Sequence, residues 1–303
     1  MIFKEIPEDF VVKEINNLEL SGNGKYSYYL LRKRCYNTLD ALIKLSSILK
    51  IDLKNFGYAG NKDKMAITEQ YISIRGAKFK EFKIKDIELN LVGKGDKPIQ
   101  LGQLVGNRFE IVVRDLKTKK GGRLKWIVNY FDEQRFGGDN IDVGKKILSG
   151  NFDGLDTVPK TLALLYIHSV QSYIWNKTVE TYLKKYSALK MKYNHGSFLF
   201  PIDKIRNKKI PIVGYLTKIH DKEIEKIATK IVKMEKIRLS DFIISGYPRL
   251  SLEGSLRDVI ISVKRFKLRY EADELHDGRL KCILTFSLPK GSYATLVIKR
   301  FFK

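Results

Sequence analysis

Long apolar runs are missing from this 303-residue chain: nothing approaches the roughly 18 residues that a membrane-spanning helix needs. The opening MIFKEIPEDF is charged from Lys4 onward and has no apolar centre, so it does not read as a signal peptide. Cysteine is nearly absent. Cys35 and Cys282 lie far apart in apolar, strand-like settings, which excludes a disulfide framework and predicts reduced core thiols in a cytoplasmic protein. The four histidines, His168, His195, His220 and His276, have no ligand spacing, so no metal site is expected. Neither GxxxxGK[ST] nor GxGxxG occurs, and Gly22-Asn23-Gly24 and Gly93-Lys94-Gly95 read as ordinary turns. The expectation is chemistry without metal or cofactor.

Acidic residues are also scarce: 34 against 57 Lys and Arg, a net charge of +23. Self-repulsion of that size calls for a polyanionic partner. With no spanning helix and no polybasic amphipathic end, nucleic acid is the partner expected, and no membrane. The excess is concentrated between Lys184 and Arg238, where fifteen basic residues face five acids. Asp221 is placed there to cap an amphipathic helix with Ile224, Ile227, Ala228 and Ile231 on its inner face, and the segment reads as a basic lobe.

Strand patterns dominate both ends of the chain. Residues 9–15 (DFVVKEI) and 25–33 (KYSYYLLRK) read as two strands joined by the Ser21–Gly24 turn, and Thr38 as the cap of a helix carrying Leu39, Leu42, Leu45 and Ile48 or Leu49. Further strands are predicted over 68–74, 87–92, 108–114, 256–263 and 280–288. In the last, Leu280, Cys282, Leu284, Phe286 and Leu288 share a face. Helices are predicted over 124–131, 139–148 and 161–185, and Ser292 as the cap of a last short one. Strand-rich ends around a helical middle indicate an α+β sheet domain interrupted by an insertion.

Three stretches carry chemistry. GYAGNKDKMAITEQ (57–70) places Asp63 between Lys62 and Lys64 after small residues that let another surface approach. It is either a solvated turn or a carboxylate kept ionised among cations. NYFDEQRFGG (129–138) sets Tyr130 and Phe131 beside Gln134, Arg135 and Phe136, groups that stack on and hydrogen-bond to unpaired bases, or else form the core at a helix end. LPKGSYATLVIKRFFK (288–303) alone is a capped basic helix.

In this order, with PEDFVVKE and the Tyr36-Asn37-Thr38 helix start ahead of them, these stretches resemble the TruD family of pseudouridine synthases from about Pro7 to Lys303. The resemblance implies a pseudouridine synthase core with a mixed, largely antiparallel sheet and flanking helices (1–154 and 251–303). It also implies an inserted α/β TRUD-type domain (155–250). The activity implied is isomerisation of a tRNA uridine, typically at position 13 in the D arm, by a monomer with no cofactor. By position, Asp63 matches the family's catalytic aspartate, Phe131 the aromatic that stacks on the target base, and Asn129 the polar residue supporting both. Asp132 departs from the family, which often has glycine there. Lys62, Lys64, Gln70 and Arg135 complete the substrate-binding set, and Lys62, Lys64 or Arg135 is expected to pair with Asp63. The rival reading is a non-catalytic protein that grips structured RNA or the ribosome through the basic lobe.

Overall fold

The computed structural model describes residues 1–303. Its strands are β1 (Ile2–Phe3), β2 (Phe10–Ile15), β3 (Tyr26–Arg34), β4 (Phe56–Tyr58), β5 (Ile67–Arg75), β6 (Glu81–Ile84), β7 (Ile87–Gly95), β8 (Gly106–Leu116), β9 (Trp126–Val128), β10 (Ala188–Tyr193), β11 (Gly196–Pro201), β12 (Lys209–Ile212), β13 (Ser255–Asp258), β14 (Ile260–Ser262), β15 (Lys264–Ala272) and β16 (Leu280–Pro289). The helices are α1 (Thr38–Leu49), α2 (Asn140–Leu148), α3 (Lys160–Leu183), α4 (Lys222–Met234) and α5 (Ala294–Phe302). The class is α+β, as expected. The chain packs as two compact units: Met1–Lys125 with Ser262–Gly291, and Trp126–Ile261 with Ser292–Lys303. These packing units cut the chain elsewhere than the expected 155–250 insertion, because α2 packs on α3 and brings the preceding segment with it.

The first unit is a ten-stranded sheet in the order β15-β16-β8-β2-β5-β3-β7-β6, with β1 beside β8 and β4 beside β5. Every pairing is antiparallel except that of β2 with β5. Alternation sets the register: Phe286, Leu284 and Cys282 stand opposite Phe109, Ile111 and Val113, and all six are buried. On the other half of the sheet, α1 lays Ala41, Leu42 and Leu45 over Tyr29, Leu31, Ile72 and Ile74. Leu39 and Ile48, placed on that inner face by the sequence pattern, are exposed.

Three local expectations fail here. β2 and β3 do not form a hairpin; β5 sits between them and pairs with both. The connection from Asn16 to Lys25 is longer than the 2–5 residues of a tight hairpin. It crosses to β7 instead, where the Ser21 amide donates to the Lys94 carbonyl at 2.8 Å. Gly24 is required there, since a Cβ would lie 2.3 Å from the Gly95 backbone. The cap of α1 is Asn37, whose side chain accepts from the Asp40 amide at 2.8 Å; Thr38 is already helical and buried. Cys282 is a core thiol, but Cys35 lies just past β3 in a left-handed conformation (φ 58°), only half-buried.

A buried ion network ties the N-terminal PEDF segment to this sheet. Arg114 on β8 donates to Asp9 at 2.9 Å and to Asp273 at 2.7 Å, and it reaches Glu274 at 3.1 Å. The side chains of Asp9 and Asp273 are fully enclosed. Lys281 and Arg114 together hold the Glu274 carboxyl down at about 2.

In the second unit α3 is central. Ile167, Val170, Ile174, Trp175 and Val179 are buried, and so are Ser169, Gln171, Ser172, Asn176 and Thr178, so the helix is enclosed on several sides. Asp221 caps α4 as predicted, accepting from the Glu223 and Ile224 amides at 3.1 and 3.2 Å. The predicted helix over 124–131 is absent. Its Trp-Ile-Val run forms β9, which pairs with β14, in keeping with its aromatic and β-branched content. The single strand expected over 256–263 is two, β13 and β14, because each takes a different partner. Ser292 does not cap α5, whose N-cap is Tyr293 with no side-chain bond.

Replacing Arg114 by Met strands two enclosed carboxylates. The expected loss is about 3–5 kcal/mol of stability by urea unfolding, and a change under 1 kcal/mol would show that the network is not a structural anchor.

Candidate active site

The quoted acid loop lies in the first unit, between β4 and β5. β4 pairs with β5 through Gly57 and Ser73, and a Cβ on Gly57 would meet the Ile99 carbonyl and the Ser73 hydroxyl, both at 2.5 Å. Smallness at Gly57 therefore serves internal packing. Gly60 is open, with nothing nearer than 4.0 Å to a built Cβ. Two side chains brace the loop. The Thr38 hydroxyl accepts from the Lys62 amide at 2.9 Å and donates to Gln70 Oε1 at 2.8 Å, while Gln70 Nε2 donates to the Gly60 carbonyl at 3.2 Å. Gln70 is fully buried, so its polar atoms are spent on the loop itself.

Asp63 projects from this frame with its side chain 42% exposed. Its cation is Lys4, at 2.6 Å from Oδ2, and the Lys4 ammonium also lies 3.9 Å over the Phe10 ring. Lys62 does not fill that role. It is buried, pairing with Glu14 at 3.1 Å and donating to Asn107 at 2.7 Å. Lys64 is exposed, and Arg135 belongs to the other unit. Lys4 lies 59 residues from Asp63 and outside the PEDF stretch, and its only local signal in the sequence is the run of charge at the N-terminus.

A second lysine escaped notice. Lys33, 1% exposed, donates to the Tyr36 carbonyl at 2.5 Å and to the Asp63 carbonyl at 3.3 Å. Burial pulls its pKa down to about 8 despite the opposing pull of Asp63. Lys33 thus steadies the backbone of the acid loop at the cost of a desolvated amine.

The second unit holds the Asn-Tyr-Phe element, in an extended segment leaving β9. Tyr130 is core: it is fully buried against Trp175, Phe198 and Phe200, and its hydroxyl accepts from the Leu199 amide at 3.2 Å. Phe131 borders a recess of about 240 Å³ shared with Arg135, His168, Gln171 and Ser172. Asn176 of α3 fixes the Phe131 backbone at both ends, accepting from its amide at 2.9 Å and donating to its carbonyl at 2.8 Å. Burial pushes the His168 pKa down, which keeps the imidazole neutral, and it bonds Gln171 at 2.9 Å.

Arg257 organises this element, and no sequence motif announced it. Its guanidinium donates to the Asn129 carbonyl at 2.9 Å and to Asn129 Oδ1 at 2.8 Å, and it stacks 4.0 Å from the Phe131 ring centre. Burial lowers its pKa to about 10, still fully charged at neutral pH. Asn129 Nδ2 donates to the Asp258 carbonyl at 3.2 Å. Asp132 is buried and clamped by Lys299 at 2.7 Å and by the Thr295 hydroxyl. Burial works against the Lys299 ammonium, but Asp132 and Glu133 raise its pKa overall. The C-terminal signature is thereby joined to the Asn-Tyr-Phe segment, and the Asp132 charge is matched inside the protein.

A sequence model of the TruD family, described as tRNA pseudouridine synthase D, matches residues 1–155 and 203–301. The chain belongs to the TruD family. Across 99% of its length it is 27% identical to the tRNA pseudouridine synthase D of Aquifex aeolicus, covering 97% of that protein. It is 29% identical to a Methanococcus maripaludis protein named probable tRNA pseudouridine synthase D 1, with 100% and 99% coverage. The crystal structure of a Methanosarcina mazei TruD protein superposes with a TM-score of 0.69 at 26% identity, covering 99% of this chain and 92% of that one. The sheet of this TruD chain is large and mostly antiparallel, and its fold matches that of the solved TruD structure. None of its helices is long and apolar enough to cross a membrane.

The depressed Lys33 pKa has a defined pH signature. Its folded value, about 8, lies below the ordinary 10.5, so between those pH values the unfolded chain takes up a proton that the folded chain refuses. The stability Lys33 contributes therefore grows as pH rises from about 8 to 10.5. Comparing urea midpoints of wild type and Lys33→Met, the gap should shift in favour of wild type over that window; a constant gap would show that Lys33 titrates normally.

Proposed function

We propose that this chain isomerises uridine 13 in the D arm of tRNA to pseudouridine, with Asp63 as the catalytic carboxylate and no cofactor. The supporting observation is a carboxylate that is accessible, held by a braced loop and paired with Lys4 at 2.6 Å. The reaction breaks the N1–C1′ bond, turns the base, forms C5–C1′, and moves the C5 proton off as N1 regains one. Atoms balance without a co-reactant. A lone aspartate anion serves by adding to ribose C1′ or base C6, or by removing a ribose proton. Lys4 compensates the negative charge of Asp63 where RNA phosphates crowd it.

In this reading the target base leaves its stack, at a cost of a few kcal/mol. Phe131, 8% exposed and covered on one side by the Arg257 guanidinium, is the stacking plane for the base. Asn129 is set in orientation by Arg257, Arg135 offers its guanidinium to base or phosphate, and exposed Lys64 meets phosphate. Lys62 and Gln70, whose polar atoms are engaged internally, act by holding the loop. The reading places a monomeric enzyme in the cytoplasm, acting on tRNA, with residues 155–250 as the inserted domain of a 1–154 and 251–303 core.

The test is tritium release from C5-labelled uridine in transcript tRNA, with EDTA present. Asp63→Asn should abolish release while tRNA affinity stays within about three-fold; product formation by that variant would reject the assignment. Tight binding by wild type without any release would support the RNA-gripping rival. Phe131→Ala should depress turnover well beyond its effect on binding, whereas equal losses would mark a structural residue.

A further inference from the structure

The first unit carries a second concentration of charge that neither the acid loop nor the basic lobe uses. Between β8 and β9 the segment 117–125 reads KTKKGGRLK, with Lys117, Lys119, Lys120, Arg123 and Lys125 and no acid. All five are exposed. β15, which begins KRFKLRY, adds Lys264, Arg265, Lys267 and Arg269, again with no acid across those seven residues.

The fold brings these to one edge of the sheet, the 117–125 segment on the side to which Tyr270 projects with Cys282, and Lys267 and Arg269 on the other. The Tyr270 hydroxyl accepts from the Lys120 amide at 2.7 Å and donates to the Lys120 carbonyl at 2.8 Å. At the other end the Val263 amide donates to the Lys125 carbonyl at 2.9 Å. The stretch 120–125 therefore runs beside β15 in the opposite direction, tied at Lys120 and Lys125, over at most about 17 Å at roughly 3.3 Å per residue. Of the nine cations only Arg269 has an ion pair, with Glu271 at 3.0 Å. Glu271 also pairs with Lys281 at 3.5 Å, so nothing neutralises the rest.

β15 is an edge strand, and lysines there do blunt edge-to-edge pairing. That purpose needs charge on the strand alone. It does not account for five more cations on a loop fastened alongside by a tyrosine that bonds both backbone groups of one residue. We propose that this sheet edge is a phosphate-tracking surface that grips the sugar–phosphate backbone of the substrate tRNA, apart from the nucleotide that reacts. The inference rests on tRNA being the substrate. An elongated row of uncompensated lysine and arginine, without an aromatic among its exposed members, fits backbone phosphates rather than bases.

The experiment uses the full chain with the triple variant Lys119→Glu/Lys120→Glu/Arg123→Glu. The dissociation constant for tRNA should rise at least about ten-fold, and the slope of log affinity against log salt should become shallower by about 2–3. The turnover number at saturating tRNA and the melting temperature should stay near those of wild type. Tyr270→Phe keeps every charge but releases Lys120, and should weaken binding by a smaller factor with little change in slope. Unaltered affinity and slope in the triple variant would overturn the proposal. So would loss of binding to phosphatidylserine vesicles with tRNA binding intact, which would assign the face to a membrane. Failure of the catalytic reading looks different: wild type binds tRNA but releases no tritium, and the affinity measurements still decide the surface.

Discussion

The Thr38 hydroxyl holds the acid loop in place, and the rest of the candidate site in the first unit is built outward from it. It accepts from the Lys62 amide and donates to Gln70, which in turn reaches the Gly60 carbonyl, so the loop is gripped on both sides of exposed Asn61. The hydroxyl is free for this because Asn37 supplies the helix cap. Thr38 is itself held in position by α1, whose Ala41, Leu42 and Leu45 are pressed on the sheet. A carboxylate that must meet a substrate needs a backbone that does not give way when phosphates approach, and here that stiffness comes from buried hydrogen bonds with every partner satisfied.

Charge is sorted by depth. Inside, cations are matched: Arg114 by Asp9 and Asp273, Lys62 by Glu14, Lys299 by Asp132. Unpaired burial would cost several kcal/mol per ion, so enclosed acids and bases occur as partners. The surplus that makes the net charge +23 is therefore left at the surface. There it is not uniform, since the 117–125 segment and residues 264–270 of β15 contain no acid. Arg257, held by Asn129 oxygens, and Lys33 depart from the sorting, and Lys33 is the more deeply enclosed. It is enclosed with two carbonyls rather than a carboxylate, and its lowered pKa records the cost.

The second unit uses a different device. There the backbone of Phe131 is held by Asn176, the side chain of Asn129 by Arg257, and the charge of Asp132 by α5. The polar residues buried along α3, which weaken its amphipathic pattern, are explained by these duties: Asn176 binds Phe131, Ser169 binds the Arg135 carbonyl at 2.9 Å, and Gln171 binds the Val213 carbonyl at 2.6 Å. A helix that serves neighbours on several sides loses a clean apolar stripe.

What the sequence alone determined was whatever is local or repeats with a short period: the alternation of β8 and β16, the helix capped by Asp221, the excess of positive charge, and motif segments specific enough to place the chain in its family. Periodicity and capping act over a few residues, so they can be read without knowing the fold. Only the tertiary structure decided which strand edge meets which, because the Ser21–Gly24 bend turns the chain without choosing a partner, and β5 took the place between β2 and β3. It decided that Trp126–Val128 is strand, since β14 offered an edge. It also decided the partners of the charged side chains. Lys4 reaches Asp63 across 59 residues and Arg257 reaches Asn129 across 128, while adjacent Lys62 turns inward. Neighbours in sequence on a loop point in different directions, and an ion pair is settled by where the fold delivers the charges.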